Sequence, residues 1–226
     1  MPLPDLPAGP VTLDEHEGKQ LLAGAGITVT RDCVLAADVD QAPAGIPYPV
    51  AVKILSRDIA HKSDIGGVLL NVMNAEELRC AAGKVMAAAR SSHPELRLNA
   101  VLVSGMVSGG VEMMIGVVND PAFGPVVVLG MGGVLAEVLH DVTYRIAPFG
   151  LDAARQMTRE LRASAMLDGV RGQPPADRTA LAETLVKVSR LAWQLKDRVA
   201  EMDINPLLVR HGGQGTVALD ALVVLR

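Results

Sequence analysis

Glycine and proline interrupt this chain so often that its regular elements must be short. The 226 residues contain 22 glycines and 14 prolines, and both residue types favour turns over long uninterrupted helices. Half of the residues are hydrophobic, so the chain can bury a substantial core and is not intrinsically disordered. We therefore expect a folded mixture of short helices and strands, in one large domain or two small ones.

The composition also excludes several classes of function. A formal net charge of −4 leaves no large basic surface for nucleic acid, and one Trp, two Tyr and two Phe are too few for base-stacking platforms. Only two cysteines, Cys33 and Cys80, are present, and they form neither a disulfide framework nor a zinc motif. A signal-peptide pattern is absent, and the longest apolar stretch, 125–136, is broken by glycines. We expect a cytoplasmic protein without membrane or nucleic-acid partners.

Helix signals occur at four places in the chain. Thr12 and Glu15 have the spacing of a capping box, and Asn74 with Glu77 has the pattern of a capped helix start. Leucine and valine recur at helical spacing in the longest of the four segments. The predicted helices are residues 12–25, 74–90, 151–164 and 177–197.

Strand-like segments are grouped between these helices and do not alternate strictly with them. They are residues 27–35, 49–55, 68–73, 98–104, 111–118 and 125–129, followed by 199–209 and 216–225, which the glycine-rich turn 211–215 joins into a hairpin. This grouping favours α+β subdomains over a doubly wound sheet. Glu137, Asp141 and Arg145 are spaced by four, which predicts a helix that carries them on one face.

A lysine within an apolar strand is the first candidate for binding chemistry. Lys53 lies in PVAVKIL (49–55), and the polar loop HKSDIGG (61–67) follows eight residues later. A buried ammonium is costly unless it meets an anion, and a glycine-containing loop offers free backbone N–H groups. Phosphate is the expected anion, although the chain contains neither a P-loop nor a G-x-G-x-x-G motif. The alternative is a lysine at a sheet edge that extends to solvent beside an ordinary loop.

Three oxygen-bearing side chains near the C-terminus form a second candidate. Alternation along a strand places Asp203 and Asn205 on one face, and a hairpin return can bring Asp220 opposite them. These hard oxygen ligands suit a Mg²⁺ ion bound to a nucleotide phosphate. The alternative is ordinary turn chemistry. Pro206 predicts an edge strand or a strand end at this point.

Five motifs in a fixed order carry a resemblance to a known family. They are PVAVKIL, HKSDIGGV, LVSGMVSGGVEMMIGVVNDPAFGP, GMGGVLAEVLHDVTYRIAP and EMDINPLLV with ALDA. From about Leu13 to its C-terminus the chain resembles the ATP-grasp domain of the ADP-forming acyl-CoA synthetases, and it is more distantly similar to the β subunit of succinyl-CoA synthetase. The resemblance implies an ATP-grasp fold, in which two α+β subdomains clamp ATP. The expected boundaries are an N-terminal tail at 1–11 and subdomains at about 12–105 and 106–226.

The resemblance also implies roles for individual residues. It makes Lys53 the phosphate-binding lysine, 61–67 a mobile phosphate loop, and Ser104–Val107 the hinge beside adenine. The residues implied to contact nucleotide are Lys53, Lys62, Ser63, Gly66, Gly67, Ser104, Met106, Val107 and Glu112, and those implied to bind Mg²⁺ are Asn205, Asp220 and Asp203. Glu137 and the turn GMGG are implied to line the site that faces the phosphate loop. Serine at position 104 departs from the succinyl-CoA relative, which has an acid there.

His61 is implied to accept a phosphoryl group and carry it between the nucleotide and a partner. Imidazole is a good nucleophile near neutral pH, although His61 could instead only shape the loop. The implied reaction is acyl-CoA + ADP + phosphate ⇌ carboxylate + CoA + ATP, with ATP/ADP and Mg²⁺ on this chain. A CoA-binding α-type subunit would supply the sites for CoA and the small carboxylic acid. Two alternatives remain: a self-sufficient ATP-grasp carboxylate–amine or carboxylate–thiol ligase, and a non-catalytic nucleotide-sensing module.

Overall fold

The computed structural model describes residues 5–36, 43, 45–59, 62–133, 141–170 and 172–226. It divides into two compact units. The large unit comprises the chain up to Leu13, Glu17–Val29 and Gly109–Arg226, and the small unit comprises Asp14–His16 and Thr30–Ser108. Most of the residues before position 30 thus belong to the large unit, whereas the sequence grouped residues 12–105 together.

The described residues contain strands and helices of modest length, as the glycine and proline content predicts. The strands are β1 (Thr12–Leu13), β2 (Asp32–Ala36), β3 (Val50–Ile54), β4 (Val68–Val72), β5 (Ala100–Gly105), β6 (Val111–Asp120), β7 (Gly124–Met131), β8 (Val142–Ile146), β9 (Val199–Val209), β10 (Thr216–Ala218) and β11 (Leu222–Leu225). The helices are α1 (Glu15–Gly24), α2 (Ala75–Ser92), α3 (Leu151–Glu160) and α4 (Arg178–Gln194), with a 3₁₀ helix at Ser164–Asp168. None of these helices is both long and apolar enough to cross a membrane.

The small unit is a four-stranded antiparallel sheet covered by α2. The strand order is β2-β5-β3-β4. Val50, Val52 and Ile54 on β3 join Val101 and Val103 on β5 in the core that α2 covers. Because side chains alternate along a strand, the residues between these positions lie on the opposite face.

The large unit is a seven-stranded sheet with α3 and α4. Its order is β1-β11-β9-β6-β7-β8, with β10 also paired to β9. Its core contains alternate residues of β6 and β9 together with apolar residues of α4, namely Met113, Ile115, Met202, Ile204, Leu181, Leu185 and Val188. The structure therefore confirms the α+β prediction and the C-terminal hairpin, which forms as β9 followed by β10 and β11.

The local predictions at Thr12, Ile27 and Arg145 were wrong. Thr12 does not cap the first helix, because it lies in β1 opposite Val224 and the helix begins at Glu15. The strand expected from residue 27 begins at Asp32. Arg145 lies in strand β8 and not in a helix.

Contacts with α3 and the residues after it explain why the four-residue spacing of Asp141 and Arg145 did not indicate a helix. Arg145 pairs with Glu160 of α3 at 2.7 Å, and the Asp141 carboxylate accepts backbone hydrogen bonds from Arg162 and Ala163. The hydrogen bond from Arg145 lowers the pKa of the Glu160 carboxyl from its ordinary value. Glu137, the third member of that series, lies outside the described residues.

The α2 cap provides a stability test. The Asn74 side chain accepts a hydrogen bond from the Glu77 amide at 2.9 Å, and the Glu77 side chain accepts one from the Met73 amide at 2.8 Å. Asn74→Ala should lower the free energy of unfolding by about 1 kcal/mol, because it leaves the Glu77 N–H without its side-chain acceptor. Urea unfolding followed by circular dichroism measures the loss. Asn74→Asp keeps an acceptor and should stay close to the wild type; an equal loss in both variants would contradict this role for the cap.

Candidate active site

The strand lysine predicted from the sequence meets a carboxylate of the same unit. Lys53 lies on β3 between the core residues Val52 and Ile54, so its side chain points to the face away from α2. Its Nζ donates to Glu15 Oε1 at 2.5 Å, and the two side chains are 9% and 0% exposed. The expectation that this ammonium needs an anion is met within the protein by Glu15.

A second lysine shares the same carboxylate. Lys62 Nζ lies 3.1 Å from Glu15 Oε2, and the lysine side chain is 8% exposed. The two oxygens of Glu15 therefore lie near different ammoniums. Sequence reasoning missed Glu15 as a site residue, because its position after Thr12 fitted a capping box. The signal available in the sequence was an acidic residue near the start of the first predicted helix.

The described part of the predicted phosphate loop is a tight turn. Gly67 N donates to Lys62 O at 2.8 Å, and Ile54 N donates to Gly67 O at 2.8 Å. A Cβ atom at position 67 would lie 2.8 Å from Ile54 Cγ2 and 2.9 Å from Lys62 O, so the close approach requires glycine. Gly66 has a φ of 70°, and Ser63 is exposed. The turn brings Lys62 back to the end of β3; His61 lies outside the described residues.

The predicted hinge begins at the end of β5. Ser104 pairs with Ala51 of β3, while Lys53 pairs with Leu102, so Ser104 and Lys53 lie on the same sheet face. Ser104 is 2% exposed, and its Oγ has no hydrogen-bond partner in the part of the chain that the structure describes. Beyond it, Met106 N donates to Pro49 O at 3.3 Å, and Met106 and Val107 are half-buried.

In the large unit, Glu112 lies beside the glycine turn. It is exposed on β6, on the face opposite the buried Met113. Gly132 N donates to Glu112 O at 2.9 Å, and a Cβ atom at Gly133 would lie 2.6 Å from Glu112 Oε2. Glycine at 132 and 133 thus lets the turn pass against this strand.

The three predicted metal ligands lie on neighbouring segments of the large sheet. Met202 and Ile204 point into the core, so Asp203 and Asn205 lie on the opposite face of β9. Asp203 pairs with Leu222 of β11, and Asp220 lies in the link just before that strand. Asp203 also pairs with Gly116 of β6, which shares its strand face with Glu112. Glu112 and Asp203 therefore share the sheet face away from the core helices.

Pro206 was predicted to mark an edge strand or a strand end, and this prediction was wrong. It lies inside β9, which has partners on both sides. The β6–β9 register shifts between Met113 and Ile115, which pair with Leu207 and Ile204. Asn205 and Pro206 therefore fall at an irregularity in the ladder, where a residue without an N–H is tolerated.

The donor set of this unit fits Mg²⁺. No group of three or more His, Cys, Asp or Glu side chains is close enough to hold a metal within the described ranges. Mg²⁺ does not require one, because it is commonly bound by one or two carboxylates together with substrate phosphates and water. Asp203, Asn205 and Asp220 offer two carboxylates and an amide oxygen on adjoining segments.

Comparisons with known proteins point to one family. A family model described as an ATP-grasp domain matches residues 6–225. The β subunit of ADP-forming acetate–CoA ligase II from Pyrococcus furiosus is 40% identical over 98% of this chain and 94% of its own length. ADP-forming acetate–CoA ligase I from Archaeoglobus fulgidus is 42% identical over 89% of this chain, but the match spans 29% of that longer chain.

Solved structures show the same fold. Acetyl-coenzyme A synthetase 1 from Ca. Korarchaeum cryptofilum, in complex with coenzyme A and Ca-AMPCP, superposes with a TM-score of 0.88 at 34% identity, covering 96% of this chain and 94% of that one. Another structure of that enzyme contains coenzyme A and Mg-AMPPCP, with a phosphohistidine segment pointing towards the nucleotide-binding site. The chain therefore belongs to the ATP-grasp family that contains the β subunits of ADP-forming acetate–CoA ligases.

Proposed function

We propose that this chain is the nucleotide-binding subunit of an ADP-forming acyl-CoA synthetase, which interconverts acyl-CoA, ADP and phosphate with a carboxylate, CoA and ATP. The observation that carries the proposal is the convergence of two buried lysine ammoniums, Lys53 and Lys62, on one carboxylate. Buried cations held close together suit a polyphosphate ligand, since a phosphate group can accept from several donors at once.

The small unit would bind the phosphates and the base. Lys53 and Lys62 would donate to phosphate oxygens, with Ser63, Gly66 and Gly67 of the adjoining turn nearby. The buried Ser104 Oγ lies on the same sheet face as Lys53, which supports a purine contact there. Met106 and Val107 would lie against adenine. The large unit would supply Glu112 for the adenosine side of the ligand.

The large unit would also hold the metal. Asn205 and Asp220 would bind Mg²⁺, with Asp203 beside them as a third ligand or a hydrogen-bond acceptor for bound water. When bound, the ion neutralises charge on the phosphate oxygens during transfer. Support for this assignment is the shared sheet face of Asp203 and Asn205 and the adjoining position of Asp220.

His61 is the proposed phosphoryl carrier, with Glu137 facing the same phosphates. One imidazole nitrogen attacks the γ-phosphorus of ATP and forms an N–P bond, while the bond to the bridging oxygen breaks and its electron pair leaves with ADP. The other imidazole nitrogen then releases its proton, which makes the ring neutral again. The phosphohistidine segment of the Ca. Korarchaeum cryptofilum enzyme supports this type of relay.

The remaining chemistry is assigned to a partner. The Pyrococcus furiosus relative is itself a subunit, and in the Archaeoglobus fulgidus relative the matched region is a minor part of one long chain. We propose that a CoA-binding α-type subunit contributes the sites for CoA and a small carboxylic acid. The free Cys33 and Cys80 thiols support a reducing, cytoplasmic location.

Removing the strand lysine tests the phosphate site. Lys53→Met should weaken binding of Mg·ATP about ten- to a hundredfold, because a charge-assisted hydrogen bond contributes roughly 1.5–3 kcal/mol. Isothermal titration calorimetry measures the change. Lys84→Met, at an exposed position of α2 in the same unit, should bind as the wild type does. Unchanged affinity in Lys53→Met would refute the assignment.

A double substitution tests the metal site. Asn205→Ala with Asp220→Asn should remove the dependence of nucleotide affinity on Mg²⁺, since the variant keeps the lysines but loses two oxygen ligands. Titrations in Mg²⁺ and in EDTA should then give the same dissociation constant. Asp197→Asn, an exposed carboxylate of the large unit, serves as the control. Persistent Mg²⁺ dependence in the double variant would place the ligands elsewhere.

Labelling with γ-³²P ATP tests the relay. With the partner subunit present, this chain should acquire an acid-labile, base-stable label that is lost in His61→Ala, while nucleotide affinity stays near that of the wild type. His93→Ala, a partly exposed histidine after α2, should label normally.

Turnover assays complete the test of the two-subunit assignment. Acyl-CoA formation should require both subunits, because the partner is assigned the CoA and acid sites. Activity of this chain alone would favour the self-sufficient ligase. Loss of turnover in His61→Ala without any label on the wild type would leave His61 a positioning residue.

A further inference from the structure

Glu15 occupies an unusual electrostatic position. It is the first residue of α1, its side chain is 0% exposed, and its two oxygens face different lysines. Oε1 accepts from Lys53 at 2.5 Å and Oε2 lies 3.1 Å from Lys62. A carboxylate between two ammoniums is the arrangement that keeps both cations close together despite their mutual repulsion.

The surroundings favour a charged carboxylate at this position. The N-terminal end of a helix carries a partial positive charge, which stabilises an acid in the first turn. Burial makes an unpaired charge costly, so a charged carboxylate at this position needs cationic partners, and Lys53 and Lys62 provide them. Each of these ammoniums has three donors. One bond to Glu15 therefore uses only one of the three donors of each ammonium.

A pair formed by a strand lysine and a helix glutamate is known from other phosphate-binding sites. In protein kinases, a strand lysine contacts the nucleotide phosphates and must be paired to a helix glutamate for activity. Lys53 is likewise a strand lysine paired to a glutamate on a helix. A lysine side chain has four flexible carbon–carbon bonds, and tethering its ammonium removes most of that freedom before the phosphate arrives.

We propose that Glu15 is the positioning residue that aligns Lys53 and Lys62 for phosphate binding and phosphoryl transfer. This inference rests on the proposed function, since it assigns phosphate to the two lysines. Glu15 acts through the lysines and does not touch the nucleotide. Its removal should therefore affect ligands that carry phosphates and spare ligands that lack them.

Conservative substitutions test this role. Glu15→Gln keeps the size of the side chain but removes its charge, so both lysines lose the carboxylate that they share and repel each other more strongly. Affinity for Mg·ADP should fall about tenfold or more. Glu15→Asp keeps the charge on a shorter side chain and should lie between Gln and wild type. Affinity for adenosine, which lacks phosphate, should be unchanged in both variants. Calorimetry on the full chain gives all of these values.

Two controls separate positioning from a general loss of structure. Glu183→Gln, at an exposed site on α4, should bind Mg·ADP as the wild type does. In a Lys53→Met, Lys62→Met background, adding Glu15→Gln should cause no further loss, because the residues through which it acts are gone. A further loss of the same size in that background, or a parallel loss of adenosine affinity, would make Glu15 a general structural residue.

The outcomes also separate this inference from the proposed function. If the wild type binds Mg·ADP and Glu15→Gln binds it equally well, the positioning role is wrong and the nucleotide assignment stands. If the wild type binds neither Mg·ADP nor Mg·ATP, the proposed function is wrong and the positioning role fails with it. In the complete two-subunit enzyme, Glu15→Gln should lower kcat for acyl-CoA formation more than it raises KM for the carboxylate.

Discussion

The buried ion cluster of Glu15, Lys53 and Lys62 is the interaction on which the candidate site depends. An ammonium on the fully buried strand β3 would be destabilising without an anion, and Glu15 supplies one from the start of α1. The same carboxylate holds the turn residue Lys62. The cluster thus offsets the cost of burying these charges in the small unit and also concentrates positive charge at one place, which a polyphosphate ligand can use.

Strand alternation explains how each unit builds a core and a site from the same segments. On β3, Val52 and Ile54 face α2 while Lys53 faces away. On β9, Ile204 packs in the core while Asp203 lies on the opposite face. Each helix layer therefore defines the apolar face of its sheet and leaves the other face for polar chemistry. Glycine is needed where a turn passes close to a neighbouring segment. Gly67 is one example, because a Cβ atom there would collide with Ile54 and Lys62.

Much of the fold could be predicted because the signals were local. Asn74 caps α2 as its spacing with Glu77 indicated, and the alternating apolar residues of β6 and β9 form strands. The failures arose where a distant partner overrode a local pattern. Thr12 joins β1 because Val224 pairs with it, and Arg145 joins β8, where its charge meets Glu160 of α3. Neither partner is visible from the spacing of neighbouring residues.

The sequence by itself determined that Lys53 needs an anion, that Asp203 and Asn205 share a strand face, and that five ordered motifs belong to the ATP-grasp family. These conclusions depend on side-chain chemistry, on the two-residue period of strands and on motif order, all of which can be read along the chain. Only the tertiary structure decided that Glu15 is the anion in the protein, because that pair joins residues 38 positions apart. It also decided that Pro206 lies inside a paired strand, because a register shift between two strands depends on how both are packed.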